Sequence, residues 1–232
     1  SERSELKDFS SNNDDNVMIY FKQGIKSPAR LAGNVLLVHE TIDQVKEPRR
    51  SWIYNAGQRR VRRAPQVRYD SPGTASDGLI TSDNFDMYNG APDLYSWELI
   101  GKQELYVPYN SYKLDDKSLT YKDIIKPLHI NNQYARYELH RVYKIAATLK
   151  PGKRNIYSKR VFYIDEDTWS ILTAEFYDGH GEIWRVAEAH NKFFYDVGVN
   201  LTTVDVFYDL TSGRYITSGL ANEEVTKFNF AH

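Results

Sequence analysis

Two short polar stretches contain the residue types that acid–base or metal chemistry requires. Residues 165–167 are Asp, Glu and Asp, and a pair of carboxyl groups about 5–10 Å apart is the machinery of glycoside hydrolysis. Residues 178–182 contain Asp, His and Glu, which offer oxygen and nitrogen ligands, although a metal ion would need further ligands from elsewhere. Both stretches also have the composition of hairpin turns, so solvated turns are the simpler interpretation. We therefore expect no catalytic residue, no metal site and no cofactor.

The rest of the sequence argues against the common enzyme classes. None of the 232 residues is cysteine, which removes thiol nucleophiles, disulfides and cysteine zinc sites. The sequence has no Gly-x-Ser-x-Gly elbow, glycine-rich phosphate loop, His-Glu-x-x-His motif or dinucleotide fingerprint. No stretch approaches the ~18 consecutive apolar residues of a membrane-spanning helix. These absences favour a binding protein over an enzyme.

Positive charge is concentrated in one segment. Residues 46–68 contain eight Lys and Arg and one Glu, whereas the whole chain has a net charge of −1. Such a segment can bind an acidic partner, a lipid headgroup or a phosphate group, or it can be a hairpin that neighbouring carboxylates neutralise. Nucleic acid is not an expected partner, because the remainder of the chain is acidic and repels a polyanion. The candidate docking residues are Arg49, Arg50, Arg59, Arg60, Arg62 and Arg63.

The elements that must position these residues are mostly strands. The chain contains 18 Tyr, 10 Phe and 4 Trp, and aromatic residues favour strands. Alternating apolar and polar residues, separated by turn residues, predict eleven strands at 17–23, 34–42, 50–55, 58–63, 95–107, 134–149, 160–165, 170–178, 183–197, 203–210 and 214–219. Only residues 81–89 and 118–126 have the caps and composition of short helices.

Segment 134–149 shows the clearest alternation, with one apolar and one polar face, which is typical of an antiparallel sheet. We therefore predict a mainly β protein with a single curved antiparallel sheet, or half-open β-barrel, of about eleven strands. Residues 1–16 are polar and predict an extended or disordered leader, and residues 17–232 predict one β domain. The connection 64–78 is long enough to carry a function.

The apolar face of this sheet is the candidate ligand site. Burial of apolar area stabilises a complex by ~25 cal/mol per Å², so an acyl chain can bind without any catalytic group. The same residues can instead be ordinary core. Arg141 interrupts the apolar side of segment 134–149 and must be paired, lie at an edge or meet a ligand. The candidate lining is Trp52, Tyr54, Trp97, Leu99, Tyr137, Leu139, Arg141, Tyr143, Ile145, Phe162, Phe176 and Trp184.

Several strings resemble a bacterial family of unknown function. They are RLAGNVLLVHET at 30–41, WIYN at 52–55, RRVRRAP at 59–65, FYID at 162–165 and EFYDGHGEIWRV at 175–186. The family consists of exported proteobacterial proteins, related in fold to outer-membrane lipoprotein-sorting (Lol-type) carriers and often encoded beside RND-type exporters. Its members are longer and begin with a signal peptide, so the chain resembles their C-terminal half. The family's motifs carry no established catalytic residues.

The resemblance implies a half-open β-barrel whose hydrophobic concave face accepts acyl chains, in the periplasm or at the outer membrane. Three hypotheses remain open. The first is a lipid- or lipoprotein-handling protein that holds a hydrophobic ligand on the concave face and serves an exporter or an outer-membrane protein. The second is an accessory subunit that docks on another protein and has no small ligand. The third, which the missing motifs disfavour, is a carbohydrate-active hydrolase.

Overall fold

The computed structural model describes residues 16–64, 69–73 and 75–224, and this part of the chain is mainly β, as predicted. The predicted leader lies outside the described residues except for Asn16. All eleven predicted strands are present. They are β1 (Val17–Gly24), β2 (Val35–Thr41), β3 (Arg50–Asn55), β4 (Arg60–Arg63), β5 (Tyr95–Pro108), β6 (Tyr137–Leu149), β7 (Lys159–Asp165), β8 (Ile171–Tyr177), β9 (Ile183–Phe194), β10 (Val199–Asp209) and β11 (Arg214–Ser218).

The helical segments are shorter than predicted. The α-helix α1 spans Tyr121–Ile124, and 3₁₀ turns lie at Ser82–Asn84 and Pro92–Leu94. The hydroxyl of Thr120 caps α1 by accepting from the amide of Asp123, whose carboxylate accepts from the Thr120 amide in return. After the first 3₁₀ turn, Asp86 and Met87 adopt φ values of 51° and 65°. This left-handed backbone ends the helical turn well before residue 89.

The strands form two antiparallel sheets, so the prediction of a single sheet is wrong. One sheet has the order β1-β2-β3-β4, and the other has the order β11-β10-β9-β8-β7-β6-β5. Both are meanders of sequence neighbours. The ladder breaks between β4 and β5, where the described residues contribute only an isolated bridge, between Pro72 and Thr81. The loop predicted to be functional, 64–78, lies in this connection, and residues 65–68 and 74 of it are outside the described part.

The chain forms two compact units. One contains β1–β4 and residues 90–93, and the other contains residues 72–89 and β5–β11. The single domain proposed for residues 17–232 stays a prediction. None of the helices in the described ranges is long and apolar enough to cross a membrane.

The seven-stranded sheet is strongly curved. β5 contacts β8 and β9, which lie three and four places away in the sheet, while the end strands β5 and β11 do not pair with each other. The sheet is therefore curved and open, in agreement with the prediction. A buried cluster joins strands β5 to β8 on one face, which we call the valine face and place inside the curve. The members of this cluster are Val107, Val142, Val161, Tyr163 and Leu172.

Residues 109–136 cross the inside of the curve. The amide of Ser111 donates to the carbonyl of Asn191 in β9. Farther along this segment, three side chains pack against β10 with at most 1% of their surface exposed, together with two valines of that strand. They are Leu114, Ile124 and Ile130, packed against Val204 and Val206. The chain's own side chains thus occupy this part of the concave side.

The opposite face of the seven-stranded sheet is the tryptophan face. Register places Trp97 of β5 beside Ala147, and Ile145 beside Phe162 of β7, on this same side. Residues 81–88 cover its centre, since Asp83 pairs with Arg160 of β7 and Tyr88 contacts Phe162. This cover leaves the β5–β6 side of the face for the site described next.

Candidate functional site

A row of exposed and half-buried apolar side chains runs along β5 and β6 on the tryptophan face. Leu99 pairs with Ile145, and Tyr106 pairs with Leu139. Leu99 is 61% exposed and Leu139 is 53% exposed. At ~3.3 Å per residue, the row extends for roughly 25 Å along β6. We call it the apolar strip, and it consists of Trp97, Leu99, Tyr106, Leu139, Tyr143 and Ile145.

The strip is exposed because β5 is an edge strand and the cover over the tryptophan face stops short of it. Single exposed apolar residues are normal on protein surfaces, but several on one face mark a candidate binding surface. A bulge at Ile100 and Gly101 interrupts the row between its two halves. Ile100, at this bulge, is itself 52% exposed.

Aromatic rings form the wall where the strip meets the covering segment. Tyr88 lies with its ring centroid 5.2 Å from that of Trp97 and 5.5 Å from that of Phe162. Trp97 and Phe162 stack on each other at 5.9 Å. Phe162 is fully buried, Trp97 is partly exposed, and Phe85 of the same covering segment is 54% exposed. The strip therefore continues into a buried aromatic cluster through Tyr88.

A buried ionic network fixes this covering segment to the sheet. Arg160 has no exposed surface, and its Nη2 donates to Asp83 Oδ2 at 2.6 Å. Its guanidinium also lies 5.1 Å from the Tyr95 ring centroid and 4.9 Å from that of Tyr157. Burial alone lowers the pKa of Arg160, but the Asp83 carboxylate and Tyr95 raise it above its ordinary value, so the charge is retained.

A second buried arginine extends the network. Arg185 of β9 donates through Nε to Asp209 at 3.2 Å and through Nη1 to the Tyr157 hydroxyl at 2.9 Å. Its Nη2 donates to the carbonyl of Gly78 at 2.8 Å. The Tyr95 hydroxyl donates to the carbonyl of Tyr157 at 3.0 Å. The Arg160–Asp83 ion pair and the hydrogen bond from Arg185 to Gly78 thus hold residues 78–88 against the tryptophan face.

Charged groups interrupt the strip between Tyr143 and Leu139, where Lys102 pairs with Tyr143 and Glu104 pairs with Arg141 on the same face. Glu166 accepts from Lys102 at 2.9 Å and pairs with Arg141 at 2.8 Å. The hydrogen bond from Lys102 is the main reason why the pKa of Glu166 lies below its ordinary value. Lys102 also lies 4.4 Å above the Tyr143 ring, and that ring stacks on Trp169 at 5.3 Å. A small cluster of charges and aromatic rings thus lies within the strip and separates Leu139 and Tyr106 from its other members.

Sequence comparison supplies the family. A family model described as "Protein of unknown function (DUF1329)" matches residues 2–232. The chain belongs to the DUF1329 family. An uncharacterized protein of Pseudomonas aeruginosa, PA3922, is 62% identical over 228 residues, which are 98% of this chain and 50% of that protein. The chain thus spans about half the length of the curated relative it matches. The predicted membership of a family of unknown function is confirmed, and the placement in its C-terminal half stays a prediction.

Two solved structures have a similar fold. One is a domain from Vibrio parahaemolyticus named for outer-membrane lipoprotein sorting, with a TM-score of 0.57, 15% identity, and coverage of 88% of this chain and 69% of that one. The other is a DUF1329 family protein from Desulfovibrio piger, with a TM-score of 0.56, 16% identity, and coverage of 85% and 67%. The predicted fold relationship to lipoprotein-sorting domains is therefore confirmed.

The DUF1329 chain brings half of the twelve predicted ligand-binding residues together. Trp97, Leu99, Leu139, Tyr143 and Ile145 lie on the apolar strip, and Arg141 lies beside it. Arg141 forms an ion pair with Glu166, which is one of the alternatives expected for it, and this pair lies at the surface and not in the core.

The other six lie elsewhere. Phe162 and Phe176 are buried beneath the covering segment, and Trp184 lies against the Arg185 guanidinium at 4.0 Å. Trp52 and Tyr54 belong to the four-stranded sheet. The Tyr137 hydroxyl donates to the Glu188 carboxylate at 3.0 Å, beside the buried ring of His190. The Glu188 carboxylate is also one cause, after burial, of the raised pKa of Tyr137.

Three residues in or beside the strip were not predicted from the sequence. Tyr106 lies in the predicted strand 95–107, and its pairing with Leu139 on a predicted site face was the available signal. Tyr88 lies in a segment predicted as helix, where no periodicity points to a sheet face. Trp169 has a φ of 58° in the turn before β8, and nothing in its local sequence indicates that it stacks on Tyr143.

The carboxylates that suggested acid–base chemistry have structural partners. Asp165 is fully buried and accepts from the Thr168 amide at 2.9 Å, the Thr168 hydroxyl at 2.7 Å and the Tyr109 hydroxyl at 3.4 Å. Its Oδ1 lies 3.1 Å from His140 Nδ1. Ligand atoms of His140, Asp165 and Asp167 lie within 4.8 Å of one another and could hold a metal ion. Because both Asp165 oxygens are already engaged within the protein, this group fits a structural role better.

The second polar stretch forms a turn. Asp178 accepts from the amides of His180 and Glu182 at 2.8 and 3.0 Å. The hydrogen bond from the Glu182 amide is the first cause of the lowered pKa of Asp178. This arrangement is the solvated hairpin turn that the composition favours.

The predicted docking arginines divide into two groups. Arg49 is buried in an ion pair with Glu40, and Arg50 pairs with Glu47, so these two serve the sheet. The other four lie at the β3–β4 hairpin and are exposed. They are Arg59, Arg60, Arg62 and Arg63.

Proposed function

We propose that this DUF1329 protein is a non-enzymatic carrier that holds a hydrophobic, acyl-type ligand against the apolar strip, in the periplasm or at the outer membrane. The observation that carries the proposal is the exposure of Leu99 and Leu139 on one face of β5 and β6, in a row with four further apolar residues. The fold shared with a domain named for lipoprotein sorting supports it.

The strip is suited to an extended apolar molecule by its length and chemistry. Covering a few hundred Å² of apolar surface at ~25 cal/mol per Å² contributes several kcal/mol, which is needed to offset the loss of translational freedom on binding. No hydrogen-bond donor is required along the row. Between Tyr143 and Leu139, Lys102 and Arg141 offer positive charge close to the surface, where an anionic headgroup would meet it.

The proposal places the ligand on the tryptophan face and not inside the curve. Leu114, Ile124 and Ile130 already occupy part of the concave side and are fully buried. Binding there would require residues 109–136 to leave Val204 and Val206, whereas the strip is accessible as it stands. An exporter or an outer-membrane protein that delivers or receives the ligand is part of this proposal.

The test compares two leucine variants of similar exposure. Leu139, on the strip, is 53% exposed, and Leu210, beyond the end of β10, is 51% exposed. Leu139→Asp places a carboxylate under the ligand and removes about half of a side-chain burial of ~1.5–3 kcal/mol. We therefore expect at least a roughly tenfold loss of affinity for oleate, measured by tryptophan fluorescence. Leu210→Asp is expected to bind oleate like the parent.

Mass spectrometry of an organic extract completes the test. The protein, purified from a bacterial host without detergent, is expected to carry bound lipid that Leu139→Asp lacks and Leu210→Asp retains. An empty extract together with no oleate binding would refute the carrier. Equal losses in both variants would remove the strip as the site. In either case the accessory subunit that docks on a protein would gain support.

A further inference from the structure

The four-stranded sheet has an aromatic and basic face. Across β1, β2 and β3, the rings of Tyr20, His39 and Trp52 form a continuous row, with centroid distances of 4.5 and 4.6 Å. Register places Tyr20 beside His39 on this side, with Trp52 paired to Arg63 of β4. We call this side the Trp52 face. It lies on a different sheet from the apolar strip.

Cations surround the aromatic row. Lys22 pairs with Leu37, and Leu37 pairs with Trp52, so Lys22 and Arg63 flank the row from β1 and β4. Both are exposed. No strand residue on the Trp52 face is acidic, because Glu40 is on the opposite side in its buried pair with Arg49.

The hairpin adds further positive charge that has no ionic partner among the residues that the structure describes. Arg59, Arg60, Arg62 and Arg63 are exposed, and none forms an ion pair with any residue of the described ranges. In an edge strand, such charges also oppose pairing with another sheet. That role alone does not explain the exposed apolar side chains among them. Tyr20 is 65% exposed, and Val61, which pairs with Tyr54 on the Trp52 face, is 64% exposed. Arg60 and Arg62 pair with Asn55 and Ile53 and so lie on the opposite face.

We infer that the Trp52 face, with Lys22 and Arg63 at its borders, docks on an anionic phospholipid surface. Tyrosine and tryptophan rings favour the level of the lipid headgroups, and arginines can place their stems along apolar surface while their guanidinium groups meet phosphates. Each basic residue near an anionic membrane strengthens binding about fivefold. An acidic protein would satisfy the charges but would leave no reason for Tyr20 and Val61 to be exposed beside them. The inference does not depend on the apolar strip.

Vesicle sedimentation tests this inference. We expect the purified protein to bind vesicles of phosphatidylcholine mixed with phosphatidylglycerol, and not vesicles of phosphatidylcholine alone. Binding should weaken from low to high salt, because salt shortens the range of the attraction. The double variant Lys22→Gln/Arg63→Gln, which removes the two exposed cations that flank the row on the Trp52 face, is expected to bind about 30-fold more weakly. Tyr20→Ser is expected to weaken binding at every salt concentration.

A matched control has the same charge change elsewhere. Lys153 and Arg154 are exposed in the connection between β6 and β7, and Lys153→Gln/Arg154→Gln is expected to bind as the parent does. Unchanged thermal unfolding of every variant confirms that each one folds. The inference is overturned if anionic vesicles do not bind, or if the two double variants lose binding equally. It is also overturned if Tyr20→Ser has no effect while soluble polyglutamate competes fully, because the partner would then be an acidic polypeptide.

Discussion

Removal of the Asp83 carboxylate should cost more than any surface change in this protein. Arg160 and Asp83 have side chains that are 0% and 2% exposed, and Arg160 Nη1 already lacks a hydrogen-bond partner. Asp83→Ala would leave a buried guanidinium with no anion and two unsatisfied nitrogens. Breaking a buried pair in this way costs about 3–5 kcal/mol. We expect the free energy of unfolding of Asp83→Ala to fall by that amount.

The double variant separates the pair from its surroundings. Arg160→Met alone should cost a similar amount, because it leaves the Asp83 carboxylate buried without its cation. Arg160→Met/Asp83→Ala removes both charges, and the methionine sulfur can contact the rings of Tyr95 and Tyr157. We expect the double variant to lose only about 0–2 kcal/mol, which gives a coupling energy of several kcal/mol.

Urea unfolding, followed by circular dichroism and tryptophan fluorescence, measures these free energies. Arg214→Met, which breaks the exposed pair with Asp77, is the control and should change stability by less than about 1 kcal/mol. The reasoning fails if Asp83→Ala costs as little as Arg214→Met. It also fails if the double variant loses the sum of the two single losses, because the two side chains would then act independently.

Three further predictions concern single positions. Burial, and then the Asp86 carboxylate, raise the pKa of Asp205 to about 8, above the ~3.9 of an unfolded Asp, so the stability of the parent should fall as pH rises from about 4 to 8. The stability of Asp205→Asn relative to the parent should therefore increase by about 1–3 kcal/mol between pH 5 and pH 7, and a difference that does not change with pH would contradict this. Asp165→Asn should lose about 1–3 kcal/mol in urea unfolding, because the bonds from Thr168 and Tyr109 weaken in a fully buried place, and a loss below about 0.5 kcal/mol would contradict it. Gly219→Ala should lower the melting temperature more than Gly152→Ala. Both glycines have a positive φ, but of the two only Gly219 would bring a Cβ within 2.9 Å of a backbone oxygen, that of Thr203. Equal decreases in melting temperature would show that the backbone conformation alone determines the loss of stability.

The strands could be predicted because their signals are local. Alternation in segment 134–149 and the turn residues between neighbouring strands identify β6 and the meander that follows it. The division into two sheets has no such signal. It depends on whether β4 pairs with β5, and the long connection between these strands contains turn residues that are compatible with either outcome. Pairing over a long connection is decided by tertiary packing, which alternation does not report.

The candidate site was predictable in part for the same reason. Leu139, Tyr143 and Ile145 alternate along β6, so their common face follows from the period of a strand. Whether that face is covered depends on residues 72–89, whose described part (72, 73 and 75–89) contains a 3₁₀ turn but no strand or long helix. Phe162 and Leu99 were therefore equal candidates by sequence, although the first is fully buried and the second is largely exposed.

The sequence gives little indication of where the covering segment, residues 78–88, lies. The buried ionic network fixes this same segment. In the sequence, Arg160 and Arg185 look like ordinary polar positions of alternating strands, yet both lie on the tryptophan face. Arg160 bonds to Asp83, which is 77 positions away in the chain, and Arg185 bonds to Gly78, which is 107 positions away. A buried arginine in such a place is costly unless its anion is held in a fixed position. The network therefore selects one placement of residues 78–88, and that placement determines where the cover ends and the apolar strip begins. Asp83 and Arg160, and not the strip residues themselves, therefore set the limits of the proposed ligand surface.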